Sequence, residues 1–247
     1  MSILITGGTK GIGLGIAERF AGAGVTVFLN YASDDEAAEK AAALIESSGG
    51  TPVLLKRDIS DAASAAALLE DVAAHTERLD QLVHAAVYPY ATSLLNTDPA
   101  ELDRAVALNG TALVHLTRSA LPLLKPGATV FFLSSRGSKV AVPNYGPIGG
   151  PKAMGEAFIR YLAIELAEHG VRAHVVSASL VLTDALRTLF GDAAEDRAAA
   201  AAAANPMKRN VTESDVAEVV HFLSTPASEM LNGRELFLDG GVYTKAN

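Results

Sequence analysis

Thr6-Gly-Gly-Thr-Lys-Gly-Ile-Gly13 decides the fold of this 247-residue chain. Ser2–Thr6, just before it, is a short apolar run of the kind that forms a buried strand, and 11–23, just after it, reads as an amphipathic helix. A glycine turn between strand and helix brings backbone close to a pyrophosphate. The helix start adds free N–H groups and partial positive charge. A glycine-rich turn alone is weak evidence, but at the first strand–helix junction it is strong. Gly7, Gly11 and Gly13 follow Gly-x3-Gly-x-Gly, not the commoner dinucleotide spacing.

Outward from this turn the pattern repeats. Further strands are expected at Thr26–Asn30, Pro52–Lys56, Gln81–Ala85, Thr129–Ser134, Ala173–Ser177 and Glu235–Leu238. Each is apolar on both faces, as in a parallel sheet covered on both sides. Helical patterns fall near 34–48, 61–75, 98–123, 151–169 and 212–224. The last but one carries Met154, Ala157, Phe158, Tyr161 and Leu162 on a single stripe. The alternation predicts an α/β fold: a doubly wound, seven-stranded parallel Rossmann-type sheet with helices on both faces. No repeat or linker divides the chain, so 1–247 is expected to be one dinucleotide-binding domain.

Composition agrees. Hydrophobic residues make up 49% of the chain, enough for a full core. The net charge of −8 argues against nucleic acid or a membrane surface as partner. With no cysteine, thiol nucleophiles, disulfides and thiolate metal sites are excluded. No apolar run is long enough to span a bilayer, and a cytoplasmic protein is expected. His115 and His169 lack partners at ligand spacing, so no metal is assigned.

Two segments stand apart. Ala193–Ala204 is nearly all alanine and should be helical. It is either part of a substrate lid covering about 184–210 or a plain surface helix. Tyr145-Gly-Pro-Ile-Gly-Gly-Pro-Lys152 should resist helix until Pro151, which suits a first turn. The end of the second strand bears on cofactor choice. Asn30 stands there, followed by Tyr31, Ala32 and Ser33, with no carboxylate to repel a 2′-phosphate. Lys10 either pairs with that phosphate or is an ordinary loop lysine. NADPH is expected over NADH.

From Thr6 to Gly241 the sequence resembles the short-chain dehydrogenases/reductases, including the Asp239-Gly240-Gly241 ending. Most members carry Tyr-x3-Lys, but here Ile148 holds the tyrosine's place. Tyr145 precedes Lys152 by seven residues, and this Tyr-x6-Lys spacing resembles bacterial enoyl-acyl carrier protein reductases of type III. Leu133-Ser-Ser-Arg-Gly-Ser-Lys-Val-Ala-Val-Pro-Asn-Tyr145 and Thr183-Asp184-Ala185-Leu186 are similar to stretches of that group. Val83-His84-Ala85-Ala86 departs from the family's usual Asn-Asn-Ala-Gly.

The resemblance implies Tyr145, Lys152, Ser135 and Asn109 as catalytic residues. It implies cofactor contacts from Gly7, Thr9, Lys10, Gly11, Ile12, Gly13, Asn30, Ser33, Asp58, Ile59, Ala85, Lys152 and Thr183. Asp58 either accepts from the adenine amine or caps the following helix. Tyr88 and Tyr90 either line the substrate pocket or pack. His84 reads better as a satisfied strand-end histidine than as an acid or base.

The implied reaction is NADPH-dependent reduction of a 2-enoyl thioester, on acyl carrier protein or coenzyme A, in fatty-acid or polyketide-type biosynthesis. A carbonyl reductase and a weakly active cofactor-binding protein remain as alternatives. Gly149, Gly150 and Pro151 would leave Lys152 loosely held. A homotetramer through the helices at 98–123 and 151–169 is expected. Arg187, Lys208 and Arg209 are candidates for docking an acidic carrier.

Overall fold

The computed structural model describes residues 1–244. Seven strands form one parallel sheet: β1 (Ser2–Thr6), β2 (Thr26–Tyr31), β3 (Thr51–Lys56), β4 (Leu79–His84), β5 (Leu124–Ser135), β6 (Arg172–Ala178) and β7 (Glu235–Leu238). Their order is β3-β2-β1-β4-β5-β6-β7. The chain therefore winds outward from β1 in one direction and from β4 in the other. The crevice outside the carboxyl ends of these two strands is where such sheets bind ligands.

Apolar residues on the two faces of each strand feed two separate cores. Leu4, Phe28, Leu82, Val130 and Phe132 face one side, while Ile3, Ile5, Val27, Val83 and Phe131 face the other. The first core is covered by α3 (Ala62–Ala73), α5 (Ala112–Ala120) and α6 (Gly146–Glu165). The second is covered by α1 (Gly11–Phe20), α2 (Asp35–Ser47) and α9 (Glu213–Ser224). The remaining helices are α4 (Pro99–Val106), α7 (Asp184–Phe190) and α8 (Ala193–Ala204).

Two helices differ from the sequence expectation. The predicted helix over 98–123 is interrupted: a π-helical turn, Ala107–Thr111, separates α4 from α5, and β5 already begins at Leu124. The segment expected to stay irregular until Pro151 is helical from Gly146. Pro151 therefore lies inside α6. Gly149 permits this start, because a Cβ there would lie 2.3 Å from the Gly137 carbonyl oxygen. Gly150 faces open space.

Candidate active site

A cleft of about 330 Å³ opens at the carboxyl ends of the central strands. Gly7, Thr9, Lys10, Gly11, Ile12, Gly13, Asn30, Ser33, Asp58, Ile59, Ala85 and Thr183 all line it. Two glycines shape its floor. Gly7 has φ +66°, and a Cβ on it would lie 2.8 Å from Ala86 Cα; a Cβ on Gly13 would lie 2.1 Å from the Gly7 carbonyl oxygen. Side chains therefore cannot fill the cradle. Asp34, Asp61, Asp98, Thr183 and Thr212 cap α2, α3, α4, α7 and α9, whereas no side chain caps α1. The first-turn N–H groups of α1 thus stand ready for an anion. Cradle and helix end together fit the pyrophosphate of a dinucleotide.

The adenine end differs from the sequence reading. Asn30 is buried, and its amide donates to the carbonyls of Leu55 and Arg57, both at 3.0 Å. It ties β2 to β3. A carboxylate does enter the pocket: Asp34, the cap of α2, forms an ion pair with Lys10. It is the third residue after Tyr31, the last of β2, which is why the end of β2 alone did not show it. Arg57 also lines the cleft, with its Nε buried and unpartnered while Nη2 holds Asp71 at 2.9 Å. Asp58 accepts from the Ser60 N–H at 3.0 Å and lies 3.6 Å from Arg104. The cap of α3 is Asp61 instead.

A second cleft continues the first, sharing Ile12, Ala85, Val87, Thr183 and Ala185. Tyr145, Lys152 and Ser135 line it. Tyr145 is the residue from which α6 starts, and Lys152 lies two turns later, on the same face. The Tyr145 hydroxyl is 3.1 Å from Ser135 Oγ. Burial raises its pKa above the usual tyrosine value, against a smaller lowering by the Ser135 hydrogen bond. Lys152 is buried and donates to the Leu133 carbonyl at 2.7 Å, with its ammonium 4.7 Å from the Phe132 ring centroid. Burial lowers its pKa to about 8, opposed by the charge of Glu156. Lys152 is thus firmly held, contrary to the looseness expected from the preceding glycines and proline. Ile148 is fully buried.

Four other residues singled out in the sequence sit elsewhere. Asn109 is fully buried in the π turn; its Oδ1 accepts from the Tyr88 N–H at 2.8 Å and its Nδ2 donates to the Tyr88 carbonyl at 3.1 Å. Its side chain clamps a loop, and is not bonded to Tyr145 or Lys152. Tyr88 and Tyr90 do not line the cleft around Tyr145. Tyr88 donates to Glu101 and carries Arg104 4.6 Å from its ring centroid, and the Tyr90 hydroxyl accepts from the Asp98 N–H at 3.2 Å. His84 is fully buried between Thr6 Oγ1 at 2.8 Å and the Leu108 carbonyl at 2.9 Å. Burial and the Lys152 charge push its pKa down to about 3, so it stays neutral.

The sequence reading missed a buried polar cluster behind Lys152. Ser134 Oγ donates to Glu156 Oε1 at 2.5 Å, and Lys139 bridges Glu156 at 2.5 Å and Glu235 at 2.7 Å. Three successive residues at the tip of β5 therefore each hold one residue of the α6 segment: Leu133 holds Lys152, Ser134 holds Glu156 and Ser135 holds Tyr145. Glu156 follows Lys152 by four residues, and that helical spacing was the available signal.

Two of the three cations proposed for carrier docking are paired with acids, and the ammonium of the third, Lys208, meets a neutral carbonyl. Arg187 pairs with Asp184 and Glu195, Arg209 pairs with Asp215, and Lys208 donates to the Ala203 carbonyl. Phe158 and Leu162 pack against the core, whereas Tyr161 and Ile164 of the same helix are exposed. Among the described residues, no helix is long and apolar enough to cross a membrane.

The family described as "Enoyl-(Acyl carrier protein) reductase" matches residues 7–243. The 1-cyclohexenylcarbonyl-CoA reductase of Streptomyces collinus is 31% identical over 239 residues, covering 97% of this chain and 85% of that protein. The short chain dehydrogenase/reductase nsrJ of Aspergillus novofumigatus is 32% identical, covering 96% and 94% respectively. A short chain dehydrogenase from Burkholderia cenocepacia, solved in complex with NADP, superposes with a TM-score of 0.88 at 26% identity, covering 98% of this chain and 97% of that one. Sheet order, glycine cradle and the match from end to end agree: the chain is an oxidoreductase and belongs to the enoyl-(acyl carrier protein) reductase family of short-chain dehydrogenases/reductases.

Proposed function

We propose that this enzyme uses NADPH to reduce the C=C bond of a 2-enoyl thioester carried on coenzyme A or an acyl carrier protein. The observation that carries the reading is the placement on α6. Tyr145 and Lys152 share one face two turns apart, while the Tyr-x3-Lys position holds the buried, apolar Ile148. The cofactor, when bound, supplies hydride.

The chain's own residues then handle charge. Tyr145 keeps its proton at neutral pH because burial raises its pKa. Its hydroxyl donates to the thioester oxygen as enolate charge develops there. Ser135 orients that hydroxyl. Lys152 would hold the cofactor ribose, and its charge favours the anionic intermediate. Leu186, Leu189 and Ala201 of α7 and α8 wall the acceptor cleft, and serve as the substrate lid within 184–210. Asn109 acts as a positioning residue, through Tyr88.

NADPH is favoured over NADH by two cations at the adenine end, Lys10 and Arg57, the latter with an unpartnered Nε. A 2′-phosphate would compete with Asp34 for Lys10. The Burkholderia structure holds NADP, and the Streptomyces relative is named for a cyclohexenylcarbonyl-CoA substrate; both support the reading. A cytoplasmic homotetramer in fatty-acid or polyketide-type biosynthesis belongs to the same proposal. The exposed Tyr161 and Ile164 mark the α6 face for assembly.

A second reading, carbonyl reduction, is favoured by the Ser135–Tyr145 hydrogen bond, since the same pair suits protonation of a ketone oxygen. NADPH oxidation with crotonyl and acetoacetyl thioesters separates the two. Turnover of the crotonyl ester supports enoyl reduction, turnover of the acetoacetyl ester alone supports the second reading, and turnover of neither overturns both. The weakly active alternative rested on a distorted segment before Lys152, and α6 runs unbroken there.

A further inference from the structure

The acceptor cleft differs in charge from the protein around it. The chain is net −8, yet no Asp or Glu lines the cleft around Tyr145, whose charged lining residues are Lys152 and Arg136. At the cofactor end, by contrast, Asp34, Asp58 and Asp184 offset Lys10 and Arg57. Lys152 is buried and bonded to Leu133. Arg136 is exposed at the cleft and follows Ser135 directly.

Some arginines of this protein are matched by acids, as Arg19 is by Glu218, Arg78 by Asp80 and Arg209 by Asp215. The Arg136 carbonyl accepts from the Lys139 and Val140 N–H groups, but its guanidinium has no hydrogen bond or ion pair among the described residues. Its guanidinium carbon lies 5.5 Å from the Tyr243 ring centroid, and Tyr243 is itself braced edge-on by Phe237 at 4.7 Å. An aromatic neighbour steadies a guanidinium through its face and leaves the N–H edge free. A planar fork of donors of this kind suits a carboxylate or phosphate, and binds it with two parallel hydrogen bonds. Leu186 and Leu189 of the same cleft offer an acyl chain an apolar wall.

We propose that Arg136 forms an oxyanion-binding subsite of the acceptor cleft, so that the preferred substrate carries a carboxylate or phosphate in addition to its reacting group. The inference rests on the reductase reading above and names its substrate class. The oxyanion comes from one of two sources, the acyl group itself or the pantetheine arm.

The test compares the wild type with Arg136→Gln and Arg136→Lys. The substrates are crotonyl and glutaconyl thioesters, each on N-acetylcysteamine, which has no phosphate, and on coenzyme A. If the acyl group supplies the anion, Arg136→Gln lowers the glutaconyl-to-crotonyl ratio of kcat/KM on N-acetylcysteamine by about tenfold to a hundredfold. Arg136→Lys then gives an intermediate ratio. If the carrier supplies it, the ratio of coenzyme A to N-acetylcysteamine ester falls instead, whatever the acyl group. Both results support the subsite, whereas unchanged ratios in Arg136→Gln overturn it.

Calorimetric titration of the NADPH-bound proteins with glutarate reads the site without turnover. Glutarate binding by the wild type that Arg136→Gln abolishes supports the subsite even where no thioester is reduced, a result that counts only against the reductase reading. Where no thioester is reduced, equal glutarate binding by both proteins, or none by either, overturns the subsite.

Discussion

Lys152 Nζ donates to the Leu133 carbonyl at 2.7 Å, which fixes the ammonium of α6 to the tip of β5. Held there, the lysine shares one cleft with the Tyr145 hydroxyl. Lys152→Ala should lower NADPH affinity and kcat together, because it removes a charge and, on the proposed reading, a cofactor contact. Fluorescence titration with NADPH and steady-state kinetics check both. Loss of kcat alone would confine the lysine to chemistry.

Tyr145→Phe should behave differently. It keeps the ring and removes the proposed donor to the thioester oxygen. Removal of one such donor costs about a hundredfold to a thousandfold in kcat, and NADPH affinity should hold. Stopped-flow NADPH oxidation reads the rate. Full activity in this variant would transfer the role to Ser135.

The pH profile should carry the signature of Glu156. Burial lowers the Lys152 pKa to about 8 while Glu156 opposes that shift. The groups around the lysine are Glu156 on its own helix, neutral His84 from β4, and Lys139, which bridges Glu156 and Glu235. In the proposed mechanism Lys152 acts as a cation, so kcat/KM should fall as pH rises through about 8. Glu156→Gln removes the opposing charge and should move this limb to lower pH. A limb that stays in place would show that Glu156 serves packing alone.

Cofactor choice should respond to Ser33 and Lys10. Ser33→Asp places a carboxylate against a 2′-phosphate, and Lys10→Ala removes a cation, so each should lower the NADPH-to-NADH ratio of kcat/KM. Asn30→Asp is a stability test instead. Its new carboxylate would face the Leu55 and Arg57 carbonyls that the amide now satisfies. The cost should be about 1–3 kcal/mol or more, read by urea unfolding.

Acid should weaken the fold before its carboxylates titrate. Burial pushes the His174 pKa down to about 4 and the His84 pKa to about 3. Both folded values lie below the unfolded value near 6.5. Their contribution is therefore intact above about pH 6.5, and is lost as pH falls from there toward about 3. Tm should drop between pH 7 and 5. The Arg172 charge adds to burial at His174, against only a smaller opposing backbone interaction with Arg234, and His174→Leu should reduce the drop.

The sheet was legible because each strand is apolar on both faces and each connection carries a helical period. Ser2–Thr6 and Glu235–Leu238 fall where the pattern put them. The break in 98–123 was not read from Asn109-Gly110-Thr111, although these are poor helix formers, since a π turn there depends on partners elsewhere. Asn109 reaches the Tyr88 backbone, and the Leu108 carbonyl meets His84. The early start of α6 was hidden by Gly149, which read as a helix breaker but is required for close approach to Gly137. The glycine cradle could be read locally. The roles of Asn30 and Asp34 could not, because each depends on a carbonyl or charge brought in by another element; Glu156 was legible only in its spacing from Lys152, not in its contacts with Ser134 and Lys139.

The tip of β5 has a consequence for redesign. Leu133, Ser134 and Ser135 are each committed to α6, so a change at one should alter the effect of a change at another. The opposite wall carries no such commitments at Leu186 and Leu189, whose side chains are apolar. Libraries seeking a new acceptor range should therefore diversify α7 and leave the strand tip untouched.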